Sequence, residues 1–175
     1  AGGGRAFYVP LAHRFLGAPA QLSREAVRDA LRPIVEGEKP VHAHDRKAAT
    51  HALAQLGLAL RAPGEDTELA SRLLLPTRRE HNLADVARER IASELPRDPS
   101  GGDAARKSER VAVESLEVER VAAWAAPCAA SILDLAPALG RAMEEEGVLP
   151  LYRDVERPLV PVLVEMERTG ILVDK

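Results

Sequence analysis

The sequence is poor in the features that usually announce a chemistry. It holds one cysteine, Cys128, so no disulfide can close within the chain. That usage fits a reducing compartment, and a cytoplasmic location is the expectation. Aromatic residues are only 3% of the 175, which leaves Leu, Val and Ala to build the core and leans the chain towards helix. No uninterrupted apolar run reaches the roughly 18 residues that span a bilayer. Residues 1–5 are Gly-rich with no apolar stretch behind them, which is not the pattern of a signal peptide. No membrane partner is therefore expected. There is no long basic block either: Arg and Glu alternate as on solvated helix faces, and the formal net charge is −3. A chain of this kind grips nucleic acid weakly, or with help from elsewhere.

What is present is ordinary globular composition, 46% hydrophobic and 29% charged, at a length that suits one domain. Residues 6–12 read as a short strand ended by Pro10, and residues 40–44 and 58–60 as two more. Ser23 is a helix N-cap, followed by Val27, Leu31, Ile34 and Val35 at helical spacing, with Gly37 as the stop. Residues 48–56 predict a second helix closed by Gly57. Asp66 caps a third, with Leu69, Leu73 and Leu74 inward and Pro76 at its end, and Asn82 caps a fourth. Residues 96–108 are Pro/Gly/Asp-rich and aperiodic, the pattern of a mobile surface loop. Residues 116–143 are helical in pattern, with Pro127 and Pro137 expected to kink or break them. The last helix, over residues 151–169, carries an apolar stripe of Val155, Leu159, Val162, Leu163 and Met166, and Gly170 caps it. The coarse order is α/β in front and α-helical behind.

The final segment is the most specific. Glu156, Pro158, Leu159, Leu163, Met166, Glu167, Gly170 and Asp174 match the pattern Glu-x-Pro-Leu-x-x-x-Leu-x-x-Met/Ile-Glu-x-x-Gly-ϕ-x-ϕ-Asp. In that register the chain resembles the junction of bacterial family A DNA polymerases where the exonuclease domain passes into the thumb. Residues 6–19, 65–76 and 81–87 resemble further segments of the same family. The resemblance implies a ribonuclease-H-like (DnaQ-like) 3′–5′ exonuclease fold lacking its first two strands, which would lie before Ala1. Residues 1–150 would form a degenerate exonuclease-like domain and residues 151–175 the first helix of the polymerase thumb. Loss of the central strands would expose edges, so a small or rearranged sheet, or a homodimer paired through those edges, is expected.

Active members of that family hold two divalent metals with carboxylates, and the metals activate water and stabilise the leaving oxygen. Carried over position by position, one metal-binding Asp falls on Ala49, in the run Ala43-His44-Asp45-Arg46-Lys47-Ala48-Ala49. Another falls on Ala130, in Trp124-Ala125-Ala126-Pro127-Cys128-Ala129-Ala130, and the tyrosine that orients the attacking water falls on Trp124. A methyl group ligates nothing and an indole offers no acceptor. Asp45 and Asp134 each stand one helical turn away, roughly 6 Å, where ligation tolerates a few tenths of an ångström. No catalytic, cofactor or metal residue is therefore assigned to this chain; Mg²⁺ belongs to the parent polymerase, and DNA is a partner through it. Asp66-Thr67-Glu68 imitates the nuclease Asp-x-Glu but reads as a helix cap. His42, His44 and His51 match no zinc spacing, and Cys128 reads as a small buried hydrophobe. Two other readings stand beside this one: an active exonuclease completed by the upstream strand, and a helical interaction module unrelated to polymerases.

Overall fold

A computed structural model describes residues 5–101 and 110–172. The helices are α1 (Arg24–Val35), α2 (Arg46–Gln55), α3 (Thr67–Leu74), α4 (Leu83–Ile91), α5 (Val118–Glu145), a single turn α6 (Leu149–Leu151), and α7 (Arg157–Thr169). A 3₁₀ turn, Val113–Ser115, precedes α5, and a π turn, Tyr152–Glu156, joins α6 to α7.

The caps fall where side-chain chemistry put them. The Ser23 hydroxyl accepts from the Ala26 amide, Asn82 Oδ1 accepts from the Asp85 amide, and the Asp66 carboxylate accepts from Glu68 and Leu69. Each satisfies amides that a helix start leaves without partners. Helix α2 begins two residues before the predicted start, because Asp45, held at φ 65°, turns its carboxylate onto the Ala48 amide.

The core forms where α3 and α4 pack on the C-terminal half of α5. Ala70, Val86, Ala87, Leu135, Leu139, Met143 and Tyr152 are all buried there. Six of these seven side chains are aliphatic or thioether, two of them alanine, which suits close helix packing in a chain with few aromatics.

Four sequence expectations are corrected here. The three strand candidates form no strand among the described residues, where the β pairing is one parallel bridge between Ala43 and Asp66. Residues near the first candidate spend their polar groups elsewhere. The Gln21 side chain clasps both the amide and the carbonyl of His13, and the Arg14 amide reaches Glu114 O at 2.6 Å. Pro127 and Pro137 do not end α5, which runs 28 residues through both. Both prolines are exposed, so the carbonyls they leave unpaired are on the side where water can serve them. The same helix is long and apolar enough, by length and composition, to cross a bilayer, which a count of uninterrupted runs does not register. In this fold its Leu135, Ala136, Leu139 and Met143 are buried instead in the helical core. Finally, the apolar stripe of the last helix, the side that amphipathicity would turn to a core, faces out: Val155 is 52% exposed and Met166 63%, whereas Val164 is buried. Val164 lies half a turn round the helix from Val155. The buried Tyr152 and the π turn after it set that rotation. Part of the expected loop, residues 102–109, lies outside the described residues.

Candidate functional site

The densest polar arrangement is built around Asp66. This residue is 4% exposed, and four backbone amides converge on its carboxylate. Two come from the first turn of α3, Glu68 at 3.0 Å and Leu69 at 3.1 Å. The other two come from the start of α2, Asp45 at 3.2 Å and Arg46 at 2.8 Å. One carboxylate thus caps one helix and pins the beginning of another, where the positive ends of both helix dipoles favour an anion. The expected cap role of Asp66 holds, and the tertiary fold adds the second function.

Two further groups lock this junction. The Tyr152 hydroxyl accepts from the Asp66 amide at 2.9 Å, and burial pushes the phenol well above its usual value, so the ring stays neutral. The Arg46 guanidinium donates to Val41 O and to Ala62 O (2.8 Å). Burial pulls the Arg46 pKa down, and the negative charge of Asp66 opposes that. Beside them, residues 41–43 run along residues 63–67 with Val41 N to Pro63 O at 2.7 Å, Ala43 N to Glu65 O at 3.0 Å and Thr67 N to Ala43 O at 2.9 Å. Gly64 permits this approach: a Cβ there would sit 2.0 Å from Val41 O.

The histidines separate rather than cluster. His42 Nδ1 accepts from the Glu65 amide at 3.0 Å. His44 Nε2 donates to His81 O at 2.8 Å, which leaves Nδ1 to accept from the Thr67 hydroxyl at 2.9 Å. Burial holds the His44 pKa below its ordinary value, against the fields of Glu68, Asp66 and Asp45. His51 reaches out to Glu167 on α7 at 2.8 Å, and Lys47 meets the same carboxylate at 2.7 Å.

Ala49 lies on α2 and Ala130 on α5, both partly buried. Neither offers a donor atom to a cation. The one-turn neighbours do not replace them. Asp45 is committed to capping α2, and Asp134 is exposed on α5. Among the described residues no group of three or more His, Cys, Asp or Glu side chains is placed to hold a metal ion. Trp124, at the family's tyrosine position, lines a shallow groove with Arg97, Asp98, Pro99 and Arg120. Cys128 is half-buried, and burial together with Asp98 pushes its thiol up, as suits an inert apolar residue.

A larger cleft, about 750 Å³, opens between α1, α2, residues 57–64 and α7. Its walls are distant in the chain, so no local pattern announces it. Tyr152 and Arg46 were also missed. Their one sequence signal is chemical: a phenol and a guanidinium inside otherwise apolar or Ala-rich segments require polar partners.

No protein-family model matches the sequence. Individual proteins do. DNA polymerase I of Pseudomonas aeruginosa is 34% identical over 182 residues, covering 98% of this chain and 19% of that protein. DNA polymerase I of Chloroflexus aurantiacus is 31% identical over 172 residues, covering 96% and 17%. A solved structure, the POL domain of Pol1 from M. smegmatis in complex with DNA primer-template and dNTP, superposes with a TM-score of 0.62 at 29% identity, covering 86% of this chain and 22% of that one. Sequence and fold together define the class that the chain is similar to: a helix-rich segment of bacterial DNA polymerases. The chain is related along nearly its whole length to one segment of DNA polymerase I. It spans about a fifth of the length of the curated relatives it matches, 19% and 17% for the two above.

Proposed function

We propose that this chain is the exonuclease-like domain of a bacterial family A DNA polymerase in which the nuclease metal site has been lost, and that it acts as a structural support for the polymerase. Residues 151–175 open the thumb. The observation that carries this reading is the pairing of a match along 98% of this chain with donor-free side chains at Ala49 and Ala130. Phosphodiester hydrolysis by this family's route needs oxygen ligands for hard divalent ions at about 2.1 Å, and methyl groups supply none.

Two observations support the structural role. The outer face of α7 presents Leu159, Val162, Leu163 and Met166 to solvent, with Val155 on the π turn before it and Ile171 and Leu172 beyond its cap at 90% and 102% exposure. An apolar stripe on that scale suits burial against another part of the parent enzyme. The solved relative is in complex with DNA primer-template, which supports DNA as a partner of the parent.

The test is a metal-dependent nuclease assay on single-stranded DNA. The chain is expected to give no digestion with Mg²⁺ or Mn²⁺. Metal-dependent digestion that disappears in Asp45→Ala or Asp134→Ala would overturn the reading, because it would show that carboxylates one turn away suffice.

A further inference from the structure

The cleft beside α7 takes no part in the nuclease-like reading. Its floor is apolar, formed by Leu58, Leu60, Val160, Pro161 and Val164. Its charged lining is Arg32, Arg46, Arg61, Arg157 and Arg168 against Glu36, Asp66 and Glu165. In a chain of net charge −3, five arginines around one cleft are a local reversal of sign.

Several of these charges are already committed. The four amides engage the Asp66 carboxylate, and Arg46 is turned to two backbone carbonyls. Glu36 accepts from the Ala59 amide at 3.1 Å and pairs with Arg32 at 3.1 Å, and these, with the weaker field of Arg61, hold its carboxyl below the usual range against the opposing effect of burial. Arg157 has only a long contact of 3.5 Å to Glu65. Among the described residues the Arg61 and Arg168 side chains make no hydrogen bond or ion pair. The ligand-facing remainder is thus Arg61, Arg157 and Arg168 against Glu165.

We propose that this cleft binds a phosphate-bearing ligand through Arg61, Arg157 and Arg168. Guanidinium forks match the oxygens of a phosphate in pairs, and several around one concave surface recognise it better than the point charge of a lysine does. The volume lies within the range of small-ligand sites. No aromatic side chain lines the cleft, so base stacking supplies nothing and the phosphate carries the recognition. The phosphate comes either from a free phosphate ester or from the backbone of a nucleic-acid strand. The cleft borders the Asp66 junction, whose Arg46 and Asp66 line it, but the proposed ligand contacts use neither of these nor Ala49 and Ala130, so the proposal stands or falls independently of the nuclease-like reading.

The experiment uses the 175-residue chain with two probes: pyrophosphate, followed by titration calorimetry, and a fluorescein-labelled single-stranded oligonucleotide, followed by anisotropy. The double variant Arg61→Glu/Arg168→Glu changes two exposed side chains, and its fold is checked by its circular-dichroism melt. At least one probe is expected to bind the parent chain and to lose tenfold or more in the double variant, and Glu165→Lys is expected to tighten it. For the oligonucleotide, loss of two phosphate contacts lowers the log–log salt slope by about 1.4. Binding of pyrophosphate as well as the strand identifies a free-ester site, and binding of the strand alone identifies a backbone site. No binding of either probe at millimolar concentration overturns the proposal, as does equal binding by parent, double variant and Glu165→Lys.

Discussion

Replacing Asp66 tests the central junction, because one carboxylate does two jobs there. Asp66→Ala removes the α3 cap, worth about 1 kcal/mol at an N-cap. It also strips the Asp45 and Arg46 amides of an ionised acceptor, and hydrogen bonds to charged groups are worth about 1.5–3 kcal/mol. The Arg46 guanidinium loses its nearest counter-charge as well. Counting the two amides together at that figure, the sum is about 2.5–4 kcal/mol, against about 1 for a cap alone. Asp66→Asn separates the parts. Its oxygen can still serve Asp45, Glu68 and Leu69, the three amides now on Oδ1, while its NH₂ group meets the Arg46 amide donor to donor. That change costs about 1–2 kcal/mol. Urea unfolding followed by far-ultraviolet circular dichroism and by the fluorescence of Trp124, the one tryptophan, gives both values. Coincident transitions justify the two-state reading. For a chain of this size the alanine variant should melt about 10 °C lower. An alanine cost of about 1 kcal/mol, or an asparagine variant as weak as the alanine one, would refute the reasoning, since Asp66 would then be an ordinary cap.

Three further outcomes are expected. Gly64→Ala puts a methyl 2.0 Å from Val41 O, so the backbone pairing of residues 41–43 with 63–67 must give way, at a cost of about 3 kcal/mol or more by the same denaturation. Tyr152→Phe keeps the buried ring but leaves the Asp66 amide without its acceptor, which costs about 1–3 kcal/mol. For His44 the native pKa lies below the ordinary 6.5, so the unfolded chain takes up the proton first. Stability should fall as the pH drops from about 7 through 6.5 and level off for this group below its native pKa; His44→Gln should flatten that part of a stability-versus-pH curve.

Much of the molecule was legible because it is decided locally. A hydroxyl, amide or carboxylate ahead of a helical run finds free amides within three residues, so Ser23, Asp66 and Asn82 could be read as caps. The relationship to DNA polymerase I was legible for another reason. Two prolines set in one amphipathic helix, Pro158 and Pro161, leave few sequences that match by chance. What the residues could not disclose is which of two faces a helix buries. Both sides of α7 carry apolar residues, and the choice of Val164 over Val155 and Met166 rests on the π turn and on where Tyr152 is anchored.

The strand candidates show the same boundary from the other side. A β pair is made of contacts far apart in sequence, and composition cannot say which edge is available, so residues 6–12 and 58–60 had the pattern without the partner. Chain chemistry alone decided the capped helices, the apolar inventory and the missing oxygen donors at Ala49 and Ala130, since each depends on a residue's identity or on neighbours a few positions away. Tertiary structure alone decided that Asp66 joins two helices, that α5 stays continuous through its prolines, and that arginines from four parts of the chain face one cleft. Those outcomes depend on which surfaces exclude water together, and that is settled only when distant segments meet.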